Sequence, residues 1–107
     1  MMIQRRKFYR LQYPKPERPV LFVGDAEFVV LDLSESGARL EKTGEWQREI
    51  FPDAGTMFFS EGEEYSGMIH VVRVSEHCFA VSFSPPVAFS RIMSEQRKLW
   101  RKYPLKG

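Results

Sequence analysis

The sequence predicts a mostly β fold, a small antiparallel β-barrel followed by a C-terminal α-helix. Short runs of Val, Leu, Ile, Phe and Tyr recur between turn residues along the middle of the chain, as in barrels made of many short strands. After Pro85 and Pro86 the apolar spacing changes to that of an amphipathic helix. The chain of 107 residues is long enough for one domain with one modest core.

The predicted strands follow one another through short polar turns. Residues 1–19 come first, and their basic side chains and three prolines predict a flexible, extended arm. Residues 43–55 predict a longer loop with a short helical turn around Trp46–Ile50. The predicted strands are Val20–Val23, Phe28–Leu33, Ala38–Glu41, Thr56–Ser60, Tyr65–Val74 and Cys78–Phe83.

The helix is predicted over residues 87–103. Apolar residues recur there at i, i+3, i+4 and i+7, ending with Leu99, Trp100 and Tyr103, while basic residues occupy the opposite face. We expect the apolar face to cover an open end or side of a barrel whose closure removes exposed strand edges. The single domain, residues 1–107, therefore divides into an arm (1–19), a barrel (20–83) and a helix (87–103).

The charge distribution indicates an anionic partner. Residues 1–18 and residues 91–107 each carry a net charge of +5, whereas residues 19–90 carry −8. The near-neutral total of +2 therefore hides two basic ends around an acidic body. Basic segments of this kind attract anionic ligands or surfaces at one or both ends of the chain.

The composition disfavours several classes of protein. Cys78 is the sole cysteine, so it has no intramolecular disulfide partner, and no apolar stretch approaches the ~20 residues of a membrane span. The basic N-terminus lacks the apolar segment of a signal peptide, so we expect a cytoplasmic protein. His70 and His77 have too few partners for a zinc site, and no phosphate loop or nucleophile elbow occurs. We expect a binding module without metal or cofactor, rather than an enzyme.

One cluster of candidate binding residues is basic. Arg6 and Arg10 have the spacing R-x-x-x-R within the segment Gln4–Arg10. A guanidinium group can pair through two N–H donors with phosphate or with the O6/N7 edge of guanine, and it can stack on a purine. Residues four apart project to one side in a helical turn or an extended chain, so both side chains can grip one bulky anion. The alternative is a solvated basic terminus.

A second cluster lies at the end of a predicted strand, where Asp32, Ser34 and Gly37 form a D-x-S-x-x-G pattern. Strand alternation predicts that Asp32 and Ser34 share a face. A carboxylate accepts hydrogen bonds from the N1–H and N2–H groups of guanine, and Ser34 adds a small donor. We expect Gly37 to adopt a positive φ that bends the chain away from a bound ring. The alternative is an ordinary turn at a strand end.

Together, the two motifs in this order resemble the PilZ domain family, and the length, strand order and terminal helix extend the resemblance over the whole chain. The resemblance implies a six-stranded barrel that binds cyclic di-GMP, a bacterial second messenger, with the arginine arm folded over the ligand. By position, Arg6 and Arg10 would grip phosphates and guanine edges. Asp32 and Ser34 would hold a guanine from the barrel, and Gly37 would shape that surface.

Three further residues enter through the same resemblance. Arg5 directly precedes the R-x-x-x-R pair, as in the form of the family associated with a stacked ligand dimer. Arg39 is an auxiliary candidate for ligand contact. Ala80 stands where family members commonly have Gly in the late strand, and its side chain is small enough to keep the binding prediction.

The expected function is therefore that of a cyclic di-GMP receptor. Its basic arm would become ordered on binding and reshape a surface that an unidentified downstream protein reads. One alternative is a small interaction domain of the same fold that no longer binds nucleotide. Another is a barrel that binds single-stranded nucleic acid, although the acidic body argues against a long nucleic-acid track.

Overall fold

The computed structural model describes residues 9–44 and 46–104. It contains seven strands and an α-helix over that part of the chain, with 3-10 turns at Lys15–Glu17 and Arg48–Ile50. The strands are β1 (Leu11–Gln12), β2 (Val20–Val23), β3 (Ala26–Leu33), β4 (Gly37–Glu41), β5 (Asp53–Phe58), β6 (Glu64–Val74) and β7 (Cys78–Ser84), and the helix is α1 (Phe89–Lys102).

Six of these strands close into an antiparallel barrel. They pair in the order β3, β2, β5, β6, β7 and β4, and β4 pairs back with β3. The predicted fold class is confirmed: the chain is mostly strand, forms a closed six-stranded barrel and ends in a helix. The 3-10 turn at Arg48–Ile50 also confirms the helical turn expected in the longer loop.

The extra strand β1 lies within the segment for which the sequence predicts a flexible arm. It pairs with the end of β3, where Leu11 is opposite Leu33 and Gln12 is opposite Asp32. The side chains of Leu11 and Tyr13 are buried in the core. The prolines exclude a regular helix here. Burying the apolar side chains of Leu11 and Tyr13 is nevertheless favourable, and an exposed arm would lose that free energy. The flexible-arm prediction is therefore wrong for residues 9–19, which pack on the barrel.

The core follows the predicted alternation in most strands. Phe79, Val81 and Phe83 of β7 are all buried. Phe79 also contacts Phe28 in an edge-to-face arrangement with ring centroids 5.2 Å apart, and Trp46 of the longer loop with centroids 4.2 Å apart. These aromatic contacts attach the loop to the barrel core.

Helix α1 packs on the barrel and is also held by the N-terminal segment. Ile92 and Leu99 are buried, as expected for the apolar face, but Trp100 and Tyr103 are exposed, so the barrel covers only part of the predicted face. Three side chains spaced four residues apart in the N-terminal segment bond to the helix: Tyr9 to Gln96, Tyr13 to Glu95, and Glu17 to Lys102 and Tyr103. No helix in the described part of the chain has the length and apolar character needed to cross a membrane.

Candidate functional site

A β-bulge places Asp32 on the outer face of the barrel. The pairing between β3 and β4 shifts after Val30, which lies opposite Leu40, so that Asp32 lies opposite Arg39. Residues directly opposite each other share a face of the sheet. Val30 and Leu40 point into the core, whereas the two strand neighbours of Asp32, Gln12 and Arg39, are exposed. Strict alternation along β3 would put Asp32 on the same face as Val30, but the bulge turns the Asp32 side chain outward.

Two arginines enclose the Asp32 carboxylate. Arg10 donates a hydrogen bond from Nη1 to Oδ1 at 2.6 Å, and Arg39 donates from Nε to Oδ2 at 2.9 Å. The Asp32 side chain has no exposed surface, whereas the side chains of Arg10 and Arg39 are 48% and 44% exposed. A buried carboxylate needs such charged partners. Both arginine side chains therefore remain about half exposed while they hold Asp32.

Ser34 closes the turn that follows. Strand β3 ends at Leu33, so strand alternation does not extend to Ser34. Its hydroxyl donates to the Gly37 carbonyl at 3.2 Å and accepts from the Gly37 amide at 3.3 Å. The Ser34 side chain therefore fixes the loop between β3 and β4, next to the two arginines, and does not extend a shared face with Asp32.

Gly37 is required by packing. Among the described residues, positive φ angles occur at Gly24 and Gly62, so the positive φ expected at Gly37 is wrong. A Cβ atom at Gly37 would instead lie 2.0 Å from the carbonyl oxygen of Val81 on β7. The absence of a side chain lets β4 approach β7 closely at this point.

A surface depression adjoins the arginines. Its volume is about 250 Å³, and its lining includes Arg10, Ser34, Gly37 and Ala80. Four of the candidate residues named from the sequence therefore line one concave surface. Two larger cavities, of about 450 and 550 Å³, contain none of the candidate residues.

Two arginines contribute more to the candidate site than their sequence context indicates. Arg39 is a direct partner of Asp32. The hairpin itself carries this signal, because pairing Leu33 with Ala38 across the turn places Asp32 opposite Arg39. Arg73 also lines the depression, and no local motif marks it. Arg5 and Arg6, the other predicted arginines, lie outside the described residues.

A second buried carboxylate, Glu95, lies beneath α1. Tyr13 donates its hydroxyl hydrogen to Glu95 Oε1 at 3.0 Å, and Lys98 donates to Oε2 at 3.0 Å. Burial and the Glu95 charge raise the pKa of Tyr13 above its usual value of 10.0. Tyr13 therefore remains a neutral donor at physiological pH. Over residues 9–44 and 46–104, no group of three His, Cys, Asp or Glu side chains is arranged to hold a metal ion.

Comparison with known proteins gives no relative. No protein-family model matches the chain, and neither the curated proteins nor the solved structures contain a match. Function is therefore inferred from the two sequence motifs and from the geometry of the described residues.

Proposed function

We propose that this chain is a cyclic di-GMP receptor of the PilZ type whose binding centre comprises Arg10, Asp32 and Arg39. The observation that carries the proposal is the 2.6 Å contact between Arg10 and Asp32, which are 22 positions apart and belong to the two different motifs. Arg10 of the R-x-x-x-R motif and Asp32 of the D-x-S-x-x-G motif meet on the outer face of the barrel, beside a concave surface that Arg10 lines.

The chemistry of these side chains fits a guanine dinucleotide. Arginine pairs through two N–H donors with phosphate oxygens or with the O6/N7 edge of guanine. A carboxylate accepts the two parallel donors N1–H and N2–H of guanine. Adenine lacks this donor pair, so Asp32 would favour guanine over adenine. Arginine can pair with the phosphates and with the O6/N7 edge of guanine, and the carboxylate adds recognition of the N1–H and N2–H edge.

Binding requires an exchange of partners, because both Asp32 oxygens accept hydrogen bonds from arginine and the side chain has no exposed surface. A guanine reaches the carboxylate only when a guanidinium group moves away. The ligand supplies the replacement partner, since its phosphate can pair with Arg10. We infer that Arg10 leaves Asp32 for phosphate while guanine takes its place.

The exchange would act on the N-terminal segment. Arg10 lies between Tyr9, whose hydroxyl bonds to Gln96 of α1, and Tyr13, which bonds to Glu95 of α1. Movement of Arg10 would therefore strain two contacts to the helix. This arrangement supports signalling to a partner protein through the arm and helix. Arg5 and Arg6 would add further guanidinium groups from the start of the arm, including those needed for a stacked ligand dimer.

Isothermal titration calorimetry with cyclic di-GMP tests the proposal. We expect the unaltered chain to bind, and Arg10→Ala, Arg39→Ala and Asp32→Ala each to weaken binding about 10–100-fold, because each removes a charge-assisted interaction. Arg48→Ala is the matched control, since it removes an exposed arginine from a 3-10 turn that does not line the depression. Cyclic di-AMP tests the preference for guanine.

Two results would overturn the proposal. The first is no binding of cyclic di-GMP by the unaltered chain at roughly tens of micromolar protein, which would favour an interaction domain without nucleotide. The second is tight binding of a single-stranded oligonucleotide that weakens steeply with salt and is unaffected by Asp32→Ala, which would favour a nucleic-acid-binding barrel.

A further inference from the structure

One row of cross-strand neighbours links Asp32 to an arginine on the far side of the depression. Asp32 lies opposite Arg39, Arg39 lies opposite Ala80, and Ala80 lies opposite Arg73. Directly opposed residues share a face, so these four side chains project from the outer surface of the barrel. Strands lie about 4.8 Å apart, which separates the backbones of Arg39 and Arg73 by about 10 Å.

Both ends of this row are β-bulges. The register shifts between Val30 and Asp32 on β3 and again between Val71 and Arg73 on β6. Bulges change the direction of side chains and are frequent beside binding sites. On β6 the bulge leaves Val72 61% exposed beside Arg73. The two irregular strand segments therefore face each other across β4 and β7.

The surface between the two bulges is formed in part by residues with small or absent side chains. Gly37 has no side chain, and Ala80 has the smallest one that a non-glycine residue can have. Both line the depression of about 250 Å³, and Arg10 and Arg73 line it as well. Small residues in the middle and long basic residues at the edge leave room for a flat ligand to lie across the row.

The charged side chains of the row, taken together with Arg10, leave an excess of two positive charges. Arg10, Arg39 and Arg73 contribute three positive charges, and Asp32 contributes one negative charge that is shared by the first two. Within the described residues, Arg73 forms neither an ion pair nor a side-chain hydrogen bond. A cyclic dinucleotide carries two phosphodiester charges, on opposite sides of its ring, and would neutralise this excess.

We propose that Arg73 is a binding residue for the second phosphodiester group of the ligand, across the depression from the Arg10–Asp32 pair. This inference rests on the proposed function and extends it, since it makes the site selective for ligands with two phosphates. Arg73 meets one end of the cyclic dinucleotide while Arg10 meets the other. A mononucleotide has a single phosphate group, so when Arg10 holds that group none is left for Arg73.

The test compares two ligands on Arg73→Ala and Arg73→Lys. For cyclic di-GMP, calorimetry should give a loss of about tenfold or more with Arg73→Ala and a smaller loss with Arg73→Lys, which keeps the charge but not the planar fork. For GMP, a chemical-shift titration should give an affinity within about twofold of the unaltered chain, because a ligand with one phosphate occupies only the Asp32 side. Arg48→Ala serves again as the charge control.

The outcomes separate this inference from the function on which it rests. If the unaltered chain binds cyclic di-GMP and Arg73→Ala binds it equally well, the role of Arg73 is wrong and the proposed function stands. Equal losses for GMP and cyclic di-GMP would also overturn the role, since Arg73 would then act on the whole site. No binding by the unaltered chain would overturn both. An unchanged melting temperature for each variant excludes a folding defect as the cause of a loss.

Discussion

Two buried carboxylates anchor the same N-terminal segment, yet their surroundings differ. Asp32 is bound by Arg10 and Arg39, whose side chains remain 48% and 44% exposed. Glu95 is bound by Tyr13, which is 4% exposed, and by Lys98, whose side chain is 16% exposed. The partners of Asp32 are the more exposed, and we call this group the open cluster. The Glu95 group, the closed cluster, is largely buried, although it lines the cavity of about 450 Å³.

The difference in exposure suits the Asp32 cluster to ligand binding and the Glu95 cluster to holding the fold together. The partners of Asp32 keep unused N–H donors at the surface, where a ligand can reach them and where water can replace a lost contact. The partners of Glu95 are largely buried, so losing one of them would leave a mostly buried polar group short of a hydrogen bond. We infer that the open cluster serves recognition and the closed cluster holds the arm to α1.

The largest expected effect concerns the tight strand contact beside the open cluster. Gly37→Ala places a Cβ atom against the Val81 carbonyl and should lower the free energy of unfolding by about 3 kcal/mol, because neither backbone can move without disturbing the barrel. Urea denaturation measures the change. Gly44→Ala is the matched control, since a Cβ atom added there would meet no heavy atom within 4 Å beyond its own chain neighbours. Equal effects at both positions would contradict the packing requirement.

Removing each carboxylate in turn tests the contrast between the two clusters. Glu95→Ala should lower the free energy of unfolding by about 2 kcal/mol, because the buried Tyr13 hydroxyl loses its acceptor. Asp32→Ala should lower it by about 1 kcal/mol, because half-exposed arginines regain water. The affinity for cyclic di-GMP should show the reverse order, with a larger loss in Asp32→Ala than in Glu95→Ala. Urea denaturation of both variants measures these changes, and Glu95→Gln, which retains an acceptor, is the control. If Asp32→Ala were less stable than Glu95→Ala, the contrast between the two clusters would be wrong.

A smaller effect than that of Glu95→Ala is expected at Tyr13 in the closed cluster, and it should depend on pH. At neutral pH, Tyr13→Phe should lower the free energy of unfolding by about 1.5 kcal/mol through loss of the hydrogen bond to Glu95. Because burial raises the pKa of Tyr13 in the folded state above 10.0, the contribution of the tyrosine is complete below that pH and declines as the pH rises above it. The difference between variant and unaltered chain should therefore shrink above pH 10. A constant difference in denaturation experiments from about pH 8 to about pH 11 would contradict this account.

Much of the fold follows from local sequence patterns. Alternating apolar residues predict β7, and the change of period after Pro86 predicts α1. Strand β1 has no such signal, because two residues give no period and its pairing depends on the edge that β3 offers beyond β2. A strand this short is stable only where a partner already exists.

The site is predicted in part. The motifs name Arg10, Asp32 and Gly37, and the structure places Arg10 against Asp32 and Gly37 beside them. The outward direction of the Asp32 side chain depends on the bulge in the pairing of β3 with β4, which no local sequence pattern reveals. The position of Arg73 beside Ala80 depends on the pairing of β6 with β7, so the role proposed for it follows only from the register of the barrel.

By itself, the sequence determines the β-barrel class, the terminal helix and the residue types that suit a guanine dinucleotide, because periodicity and side-chain chemistry are local properties. The tertiary structure alone decides that Asp32 faces outward, that Arg10 and Arg39 enclose it, and that Arg73 lies across the depression from Arg10. These arrangements depend on strand register and bulges. Register is set by the burial of the whole core, to which residues distant in sequence contribute.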